Sequence, residues 1–417
     1  MPTPIYLDHA ATTPVAPEAV ATMMAYFSEE YGNPSSVHRY GQRAEAAVTR
    51  ARQSIAALLH CALDEIVFTS GGSEADNLAL RGVMFAARQA GGGNHLITSA
   101  VEHDAVLRTA YQLRDVFGFE LTVLPVDAFG CVSPADVAAA IRPETVLVSV
   151  MYANNEIGSI QPIADIAAAA HAHGVLVHTD AVQAGSQLPI DVRTLGVDLM
   201  SLGAHKFYGP KGIGLLYARA GVALAPTQTG GSHERGQRAG THNVPYIAAM
   251  ATALELTAQR REEDARRYAE LRDRLIAGIL NEVPDARLTG HPTARLPNNA
   301  SFVFRNVDGN ELLMRLDLEG IAASSGSACK TGDPEPSGVL LATGLDPEWA
   351  LGSLRLTVGR GTTHEHIDRV LAILPGIVAA MRVIPSPQTS HSPALSAIRP
   401  RHLARRAGEE PGESEPL

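Results

Sequence analysis

The segment Ser201-Leu-Gly-Ala-His205-Lys206-Phe-Tyr-Gly-Pro-Lys211-Gly sets a lysine on a Gly/Pro-rich turn directly after an apolar run. A lysine held in a cleft with a lowered pKa forms Schiff bases with aldehydes, whereas one on a surface turn does not. Upstream, Val175-Leu-Val-His-Thr-Asp180-Ala-Val-Gln183 sets a carboxylate just past a buried-strand pattern. A pyridine-ring aldehyde cofactor needs an acid there, because its protonated ring is the electron sink. Taken singly, Asp180 also suits a helix cap. A third segment, Phe68-Thr-Ser-Gly71-Gly72-Ser73-Glu-Ala-Asp76, joins a strand pattern to a helical one through glycines. Free N–H groups and the helix dipole make such a turn an anion cup suited to a phosphate. Ser73 to Asp76 reads equally as a capping box. Amine, acid and phosphate cup together are what pyridoxal phosphate requires.

A fourth segment bears on which reaction is run. Ala323-Ser-Ser-Gly-Ser-Ala-Cys329-Lys330-Thr-Gly-Asp-Pro-Glu-Pro-Ser337-Gly-Val-Leu340 is rich in Ser, Gly and Pro and reads as a mobile loop. Its cysteine is expected to be exposed, unlike Cys61 beside Leu58-Leu59 or Cys131 after a turn glycine. Lys330 favours the thiolate. A thiol on a moving loop can reach a buried substrate and then hand cargo outward.

These residues must be positioned by a scaffold, and the chain's two periodicities describe it. Amphipathic helical stretches (44–59, 73–88, 104–117, 163–173) alternate with short apolar runs (95–99, 146–151, 175–178, 199–202, 212–217) from about Ala44 to Tyr217. That alternation predicts an α/β fold with a mostly parallel sheet covered on both faces. Ligands of such sheets sit beyond the strands' carboxyl ends, and Glu102-His103, Asn154-Asn155, Asp180 and His205-Lys206 directly follow apolar runs. After Asn243 the texture changes. A long charged helix is expected over about 247–280, its mixed signs reading as a solvated face. Strands at 299–304 and 353–358 and helices at 309–317 and 365–380 suggest a smaller α/β domain, joined by the N-terminal residues. The expected division is 13–258 for the large domain, with 1–12 and 259–385 for the small one carrying the cysteine loop at about 323–340. The Pro/Ser/Arg/Glu-rich stretch 386–417 is expected to be a disordered tail.

With 417 residues, 45% of them apolar, the chain has enough material for such a two-domain protein. Its net charge of -10 argues against a mainly electrostatic grip on nucleic acid. Cys61, Cys131 and Cys329 form no even disulfide framework, which suits a reducing compartment. With no secretory signal pattern and no bilayer-length apolar run, the cytoplasm is the expected location and no membrane the expected partner. No metal site is expected: His171/His173 and His364/His366 are spaced i, i+2, off a common helix face.

In chain order these features resemble the cysteine desulfurases of the class V aminotransferase group, the NifS/IscS-like pyridoxal-phosphate enzymes. The resemblance runs from Ile5 to about Ala380. It rests on Tyr6-Leu-Asp-His-Ala-Ala-Thr-Thr-Pro14, Gly32-Asn-Pro34, the 69–77 turn, Glu102-His103, Asn154-Asn-Glu-Ile-Gly158, the 178–183 and 204–212 segments and the cysteine loop.

It implies a fold-type-I transferase architecture with a seven-stranded-type sheet. Lys206 would carry the internal aldimine, and His103 would stack on the ring and move protons. Asp180 would pair with the pyridine nitrogen and Gln183 with the phenolic oxygen, while Asn155 would face the ring oxygen or the substrate carboxylate. Gly72, Ser73 and His205 would hold the phosphate. Thr241 would reach the phosphate of the neighbouring subunit, which implies a homodimer. Arg355, in Ser353-Leu-Arg-Leu-Thr-Val-Gly359, would clamp the substrate carboxylate.

Cys329 would take the sulfur of L-cysteine as a persulfide, releasing alanine, and pass it to an acceptor protein such as an iron–sulfur scaffold. Selenocysteine lyase, another class V enzyme or an inactive scaffold for sulfur-transfer partners are the alternatives. Two positions depart from the family pattern. His9 replaces the usual Asn or Tyr, with an expected effect at the cleft mouth. Gly203 replaces a phosphate-binding serine, for which Ser201 or a backbone N–H would have to compensate.

Overall fold

The computed structural model describes residues 4–325 and 336–383. Strand β1 (Ile5–Tyr6) and helices α1 (Pro17–Ser28) and α2 (Arg39–Leu59) come first. A regular alternation follows: β2 (Ile66–Thr69), α3 (Gly72–Gln89), β3 (His95–Ser99), α4 (Asp104–Asp115), β4 (Glu120–Leu124), α5 (Pro134–Ala140), β5 (Thr145–Ser149) and α6 (Ile163–His171). It continues through β6 (Leu176–Asp180), α7 (Val192–Leu195), β7 (Leu199–Gly203) and β8 (Gly214–Ala218). The remaining elements are α8 (Val244–Glu282), β9 (Ala286–Leu288), β10 (Asn299–Phe304), α9 (Gly309–Leu318), β11 (Ile321–Ala322), α10 (Gly338–Ala342), α11 (Pro347–Leu351), β12 (Ser353–Thr357) and α12 (His364–Val383).

Seven strands form one sheet in the order β2-β8-β7-β6-β5-β3-β4. The five from β7 to β4 are mutually parallel, and β8 runs against both β2 and β7. Helices cover both faces, which is why strands such as Val67-Phe68 and Leu215-Leu216 are apolar on both sides. Thr69, Ser99, Ser149, Asp180 and Gly203 therefore end their strands along one common edge.

A second apolar cluster gathers Ile5, Leu7, Phe302, Phe304, Leu354 and Leu356 with α9 and α12. It surrounds the antiparallel β9–β10–β12 sheet and the β1–β11 pair. Helix α8 serves both clusters: Val244 to Leu254 pack on the large sheet, Tyr268 to Ile279 on the small one. We propose the domain division near residue 258 on this change of core. The cysteine loop lies largely, and the tail from 386 wholly, outside the described residues.

Candidate active site

Lys206 ends a single 3-10 turn, Ala204–Lys206, that follows β7. Its Nζ donates to the carbonyls of Ala10 and Ala11 at 2.5 and 2.8 Å. The same N-terminal segment fixes the turn itself. Thr13 Oγ1 donates to His205 O and accepts from Tyr208 N, and His205 Nδ1 lies 3.2 Å from Thr12 Oγ1. Tyr208 sits at φ 65°, a left-handed conformation that its hydroxyl helps hold by bonding Tyr268 Oη at 3.0 Å. Burial pulls the Lys206 amine down to about 8; the Arg355 charge adds to this, while Asp180 and Asp8 oppose it. An amine so placed is nucleophilic near neutrality, as Schiff-base chemistry requires.

Around Lys206 lies a cavity of about 310 Å³. Gly72, Ser73, His103, Asn155, Asp180, Gln183, His205 and Arg355 all face it, so the fold brings together nearly every residue singled out in the sequence. Asp180 is deeply buried at the end of β6, its Oδ1 accepting from Val182 N at 2.9 Å. Burial raises its carboxyl, against His103, the Val182 N–H and Lys206. Gln183 Nε2 donates to Ala10 O. His103 begins α4, its Nδ1 accepting from Ala105 N.

The phosphate cup differs from the capping-box expectation. Gly71, the residue preceding α3, supplies no side-chain cap, and Asp76 turns inward, 1% exposed, instead of bonding the helix start. The first N–H groups of α3 thus face the cleft uncapped by any side chain, which suits an anion. Close approach explains the glycines: a Cβ on Gly72 would lie 2.6 Å from Val182 Cγ2, and one on Gly214 2.6 Å from Gly71 C. Ser201 does not compensate for Gly203. It shares that strand face but lies two residues, about 6.6 Å, deeper, and its buried hydroxyl is 3.0 Å from His178 Nε2. A Cβ on Gly203 would sit 3.4 Å from Gly72 N, so the backbone N–H stands open there. The residues present fit pyridoxal phosphate: a depressed amine, a buried acid and an uncapped helix start. Gly72→Ala should overpack the cup by about 1–3 kcal/mol and weaken cofactor binding roughly 5- to 150-fold, read by absorbance titration of the apo-protein with pyridoxal phosphate.

On the substrate side, Arg355 is 5% exposed. Its Nη1 donates to Asn155 O at 2.9 Å and its Nη2 to Asp8 Oδ1 at 2.7 Å, while Nε is buried without a partner. A buried cation with a spare donor is suited to a carboxylate. Asp8 and the carbonyls of Ala10 and Ala11 carried no assigned role in the sequence, although the segment from Tyr6 to Pro14 was singled out. Glu156 was also missed. It accepts from Ser337 Oγ at 2.5 Å, and burial raises its carboxyl to about 7 against that bond and the Arg355 charge.

The structure relocates one of the expected positions. His9 is not at the cleft mouth: it is 7% exposed, packed edge-on to Tyr6 and against Gly359, where a Cβ would come within 2.3 Å of the ring. Burial lowers its imidazole to about 4. Thr241 lies outside its own chain's cleft, in a separate hollow with Phe68, Ser70, Gly212 and Arg238. Cys329 falls outside the described residues, as does Lys330. Among the described residues no cluster of His, Cys, Asp or Glu is arranged to hold a metal ion, and His171 instead bonds Asp198 at 2.9 Å.

The Thr241 loop is fastened by a buried ion pair. Glu234 accepts from Arg52 Nη2 and from His242 Nε2, each at 2.6 Å, and from Phe68 N at 3.1 Å. Burial alone would raise this carboxyl, but His242 and Arg52 outweigh it and hold it at about 2. Glu234 and Arg235 both adopt left-handed conformations, φ 46° and 57°. Glu234→Ala should cost about 3 kcal/mol by leaving Arg52 buried and unpaired. With a depressed carboxyl, the stabilisation is fully present above the ordinary carboxylate range and is lost as pH falls towards about 2. Urea unfolding near neutrality and in acid should show the difference from wild type shrinking in acid.

Residues 5–370 match the family model described as Aminotransferase class-V. The chain belongs to this family, and its cofactor is pyridoxal phosphate. It is 49% identical, over 91% of its length and 93% of the relative's, to a protein of Methanosarcina thermophila named cysteine desulfurase IscS. A solved structure titled NifS-like protein superposes with a TM-score of 0.85 at 35% identity, covering 91% of this chain and all of that one. Another, titled SspA in complex with cysteine, has a TM-score of 0.75 at 36% identity, covering 85% and 98% of the two chains.

Proposed function

We propose that this chain is a cysteine desulfurase that converts L-cysteine to L-alanine and holds the sulfur as a persulfide on Cys329. The observation that carries the reading is the convergence of Lys206, Asp180, the uncapped start of α3 and Arg355 on one cavity. The names of its relatives agree with it.

Pyridoxal phosphate, when bound, withdraws electrons from the substrate's amino-bearing carbon. The other roles belong to this chain. Lys206 Nζ holds the cofactor and moves the proton at the substrate α-carbon. Asp180 would keep the cofactor's ring nitrogen protonated, and Gln183 and Asn155 would address its ring oxygen. The Gly72 N–H, Ser73 and His205 would hold the phosphate. His103, exposed at the cleft, would face the ring and relay protons. Arg355 orients the substrate through its carboxylate.

The Cys329 thiolate attacks the substrate sulfur and a sulfur–sulfur bond forms. The carbon–sulfur bond breaks with its electron pair going to carbon, which gains a proton to become alanine. The ends of the described chain flanking Cys329 support this role. Ser324 exchanges two backbone hydrogen bonds with Arg355, and Ser337 bonds Glu156 beside Asn155.

A homodimer is part of the proposal. It is supported by Thr241 lying away from its own cleft, on a loop that completes a partner's phosphate site in our reading. An exposed apolar band, Val20, Met24, Phe27, Tyr31 and Tyr40, runs nearby. A sulfur-acceptor protein is the proposed recipient and the cytoplasm the proposed location. No described helix is long and apolar enough to cross a membrane.

Protein loaded with pyridoxal phosphate should yield alanine from L-cysteine, with sulfide appearing one for one when a thiol reductant is present. Cofactor-loaded protein that leaves L-cysteine intact would contradict the proposal.

A further inference from the structure

Near Asp180 lie two more buried carboxyl groups that the reaction does not use, and Asp76 lines the same cavity. Asp76, on α3, is 1% exposed, and Glu102, following β3, is 4% exposed. Glu102 Oε1 accepts from Ser99 Oγ at 2.5 Å and from Met151 N at 3.0 Å, while its Oε2 is buried with no partner. Asp76 Oδ1 is likewise buried and unpartnered.

The groups facing them carry no compensating positive charge. From β6 come Asp180 and His178, and from β7 comes the Ser201 hydroxyl. His178 lies 3.7 Å from Asp76 Oδ1, but its ring is committed to Ser149 Oγ at 2.9 Å and Ser201 Oγ at 3.0 Å. Burial holds that imidazole near 3, so it is neutral and the contact is not an ion pair. Lys206 and the His103 imidazole act on Asp180, and neither acts on Asp76 or Glu102. An ionised carboxylate buried without a cation and with a bare oxygen is strongly disfavoured; a protonated one is not.

We propose that Asp76 and Glu102 are kept as neutral carboxylic acids beneath the cofactor, so that this cluster of three carboxyl groups carries one negative charge, on Asp180. They are positioning residues that set the charge presented to the cofactor's ring nitrogen, and the inference rests on the assignment of Asp180 to that nitrogen. Burial acts in the same sense on both, raising Asp76 well above the carboxylate range and Glu102 to about 8, with Asp180 adding to each.

The linkage has a definite sign. A carboxyl raised in the folded state stays protonated while its unfolded counterpart ionises. Folding stability therefore falls as pH rises from the ordinary carboxylate range to about 8, then levels. Glu102→Gln removes that loss. Its Tm relative to wild type, both loaded with pyridoxal phosphate, should rise by at least about 3 °C between roughly pH 5 and pH 8. A variant less stable by a constant amount across that range would overturn the proposal.

The chromophore supplies a readout that packing alone does not move. Below about pH 7 the bound-cofactor spectra of wild type, Glu102→Gln and Asp76→Asn should coincide, because a neutral amide replaces a neutral acid. A wild-type spectral step near pH 8 should vanish in Glu102→Gln. A spectrum displaced in either variant already at about pH 6, as loss of a negative charge would cause, would overturn the idea. If a variant fails to fold, the infrared carbonyl band of protonated carboxyls at neutral pH decides, read in Glu156→Gln protein because Glu156 itself titrates near 7: its presence supports the proposal and its absence sinks it. Wild-type protein that takes up no cofactor would refute the cofactor assignment instead, and the infrared band would still report on the two acids.

Discussion

Cys329→Ala should keep the yellow cofactor band and lose sulfide release from L-cysteine by at least about 10³-fold, the scale on which removing a nucleophile acts. The expectation comes from the other two thiols as much as from Cys329. Cys61 is half-buried beside Glu65 and Asp64, and burial with those charges pushes its thiol up to about 12. Cys131 is raised to about 11 by burial and Asp127. Neither lines the cleft, so neither can replace a lost nucleophile. The two ends of the segment carrying Cys329 are fastened to the cleft's substrate side, at Arg355 and at Glu156. Undiminished sulfide release in the variant would overturn the assigned nucleophile and leave the cofactor site untouched.

Arg355→Ala should raise KM for L-cysteine by about 30- to 5,000-fold, corresponding to roughly 2–5 kcal/mol for truncating one member of a buried hydrogen-bonded charge pair. In the free protein the guanidinium already holds Asp8 and the Asn155 carbonyl. The variant therefore also leaves Asp8 without its cation, and unfolding measurements are needed beside the kinetics. Asp8→Asn provides the control: it removes the same ion pair but keeps the guanidinium, so it should leave KM far less altered. Arg355→Lys keeps the charge but not the planar fork, and should fall between wild type and Arg355→Ala. A KM unchanged in Arg355→Ala would remove this residue from substrate binding.

The sequence made the scaffold legible wherever period and burial coincide. The runs at 95–99 and 199–202 are strands because both faces are covered, and 73–88 is a helix because one stripe is apolar. Elements without that coincidence were not visible. Helix α1 turns Val20, Met24 and Phe27 outward, which blurs its amphipathic stripe, and β4 is a half-buried edge strand. The site was legible residue by residue through the family resemblance, since Lys206, Asp180 and Arg355 carry recognisable neighbours.

What the resemblance did not convey was contact across the chain. The carbonyls of Ala10 and Ala11 hold Lys206 from nearly two hundred residues away, and such backbone acceptors have no side-chain signature. The capping-box reading at Ser73 failed because Asp76 is needed inside, against His178 and Ser201. As a departure from the family's Asn or Tyr, His9 suggests an effect at the cleft mouth, yet its ring is buried against Tyr6 and Gly359.

The central claim is that one particular amine anchors the cofactor within reach of everything else in the cleft. Borohydride reduction of the loaded protein followed by peptide mapping tests it directly, because the only candidates are Lys206, Lys211 and Lys330. The account predicts a reduced pyridoxyl group on the peptide containing Lys206. The same group found on Lys211 or Lys330, with Lys206 unmodified, would contradict it.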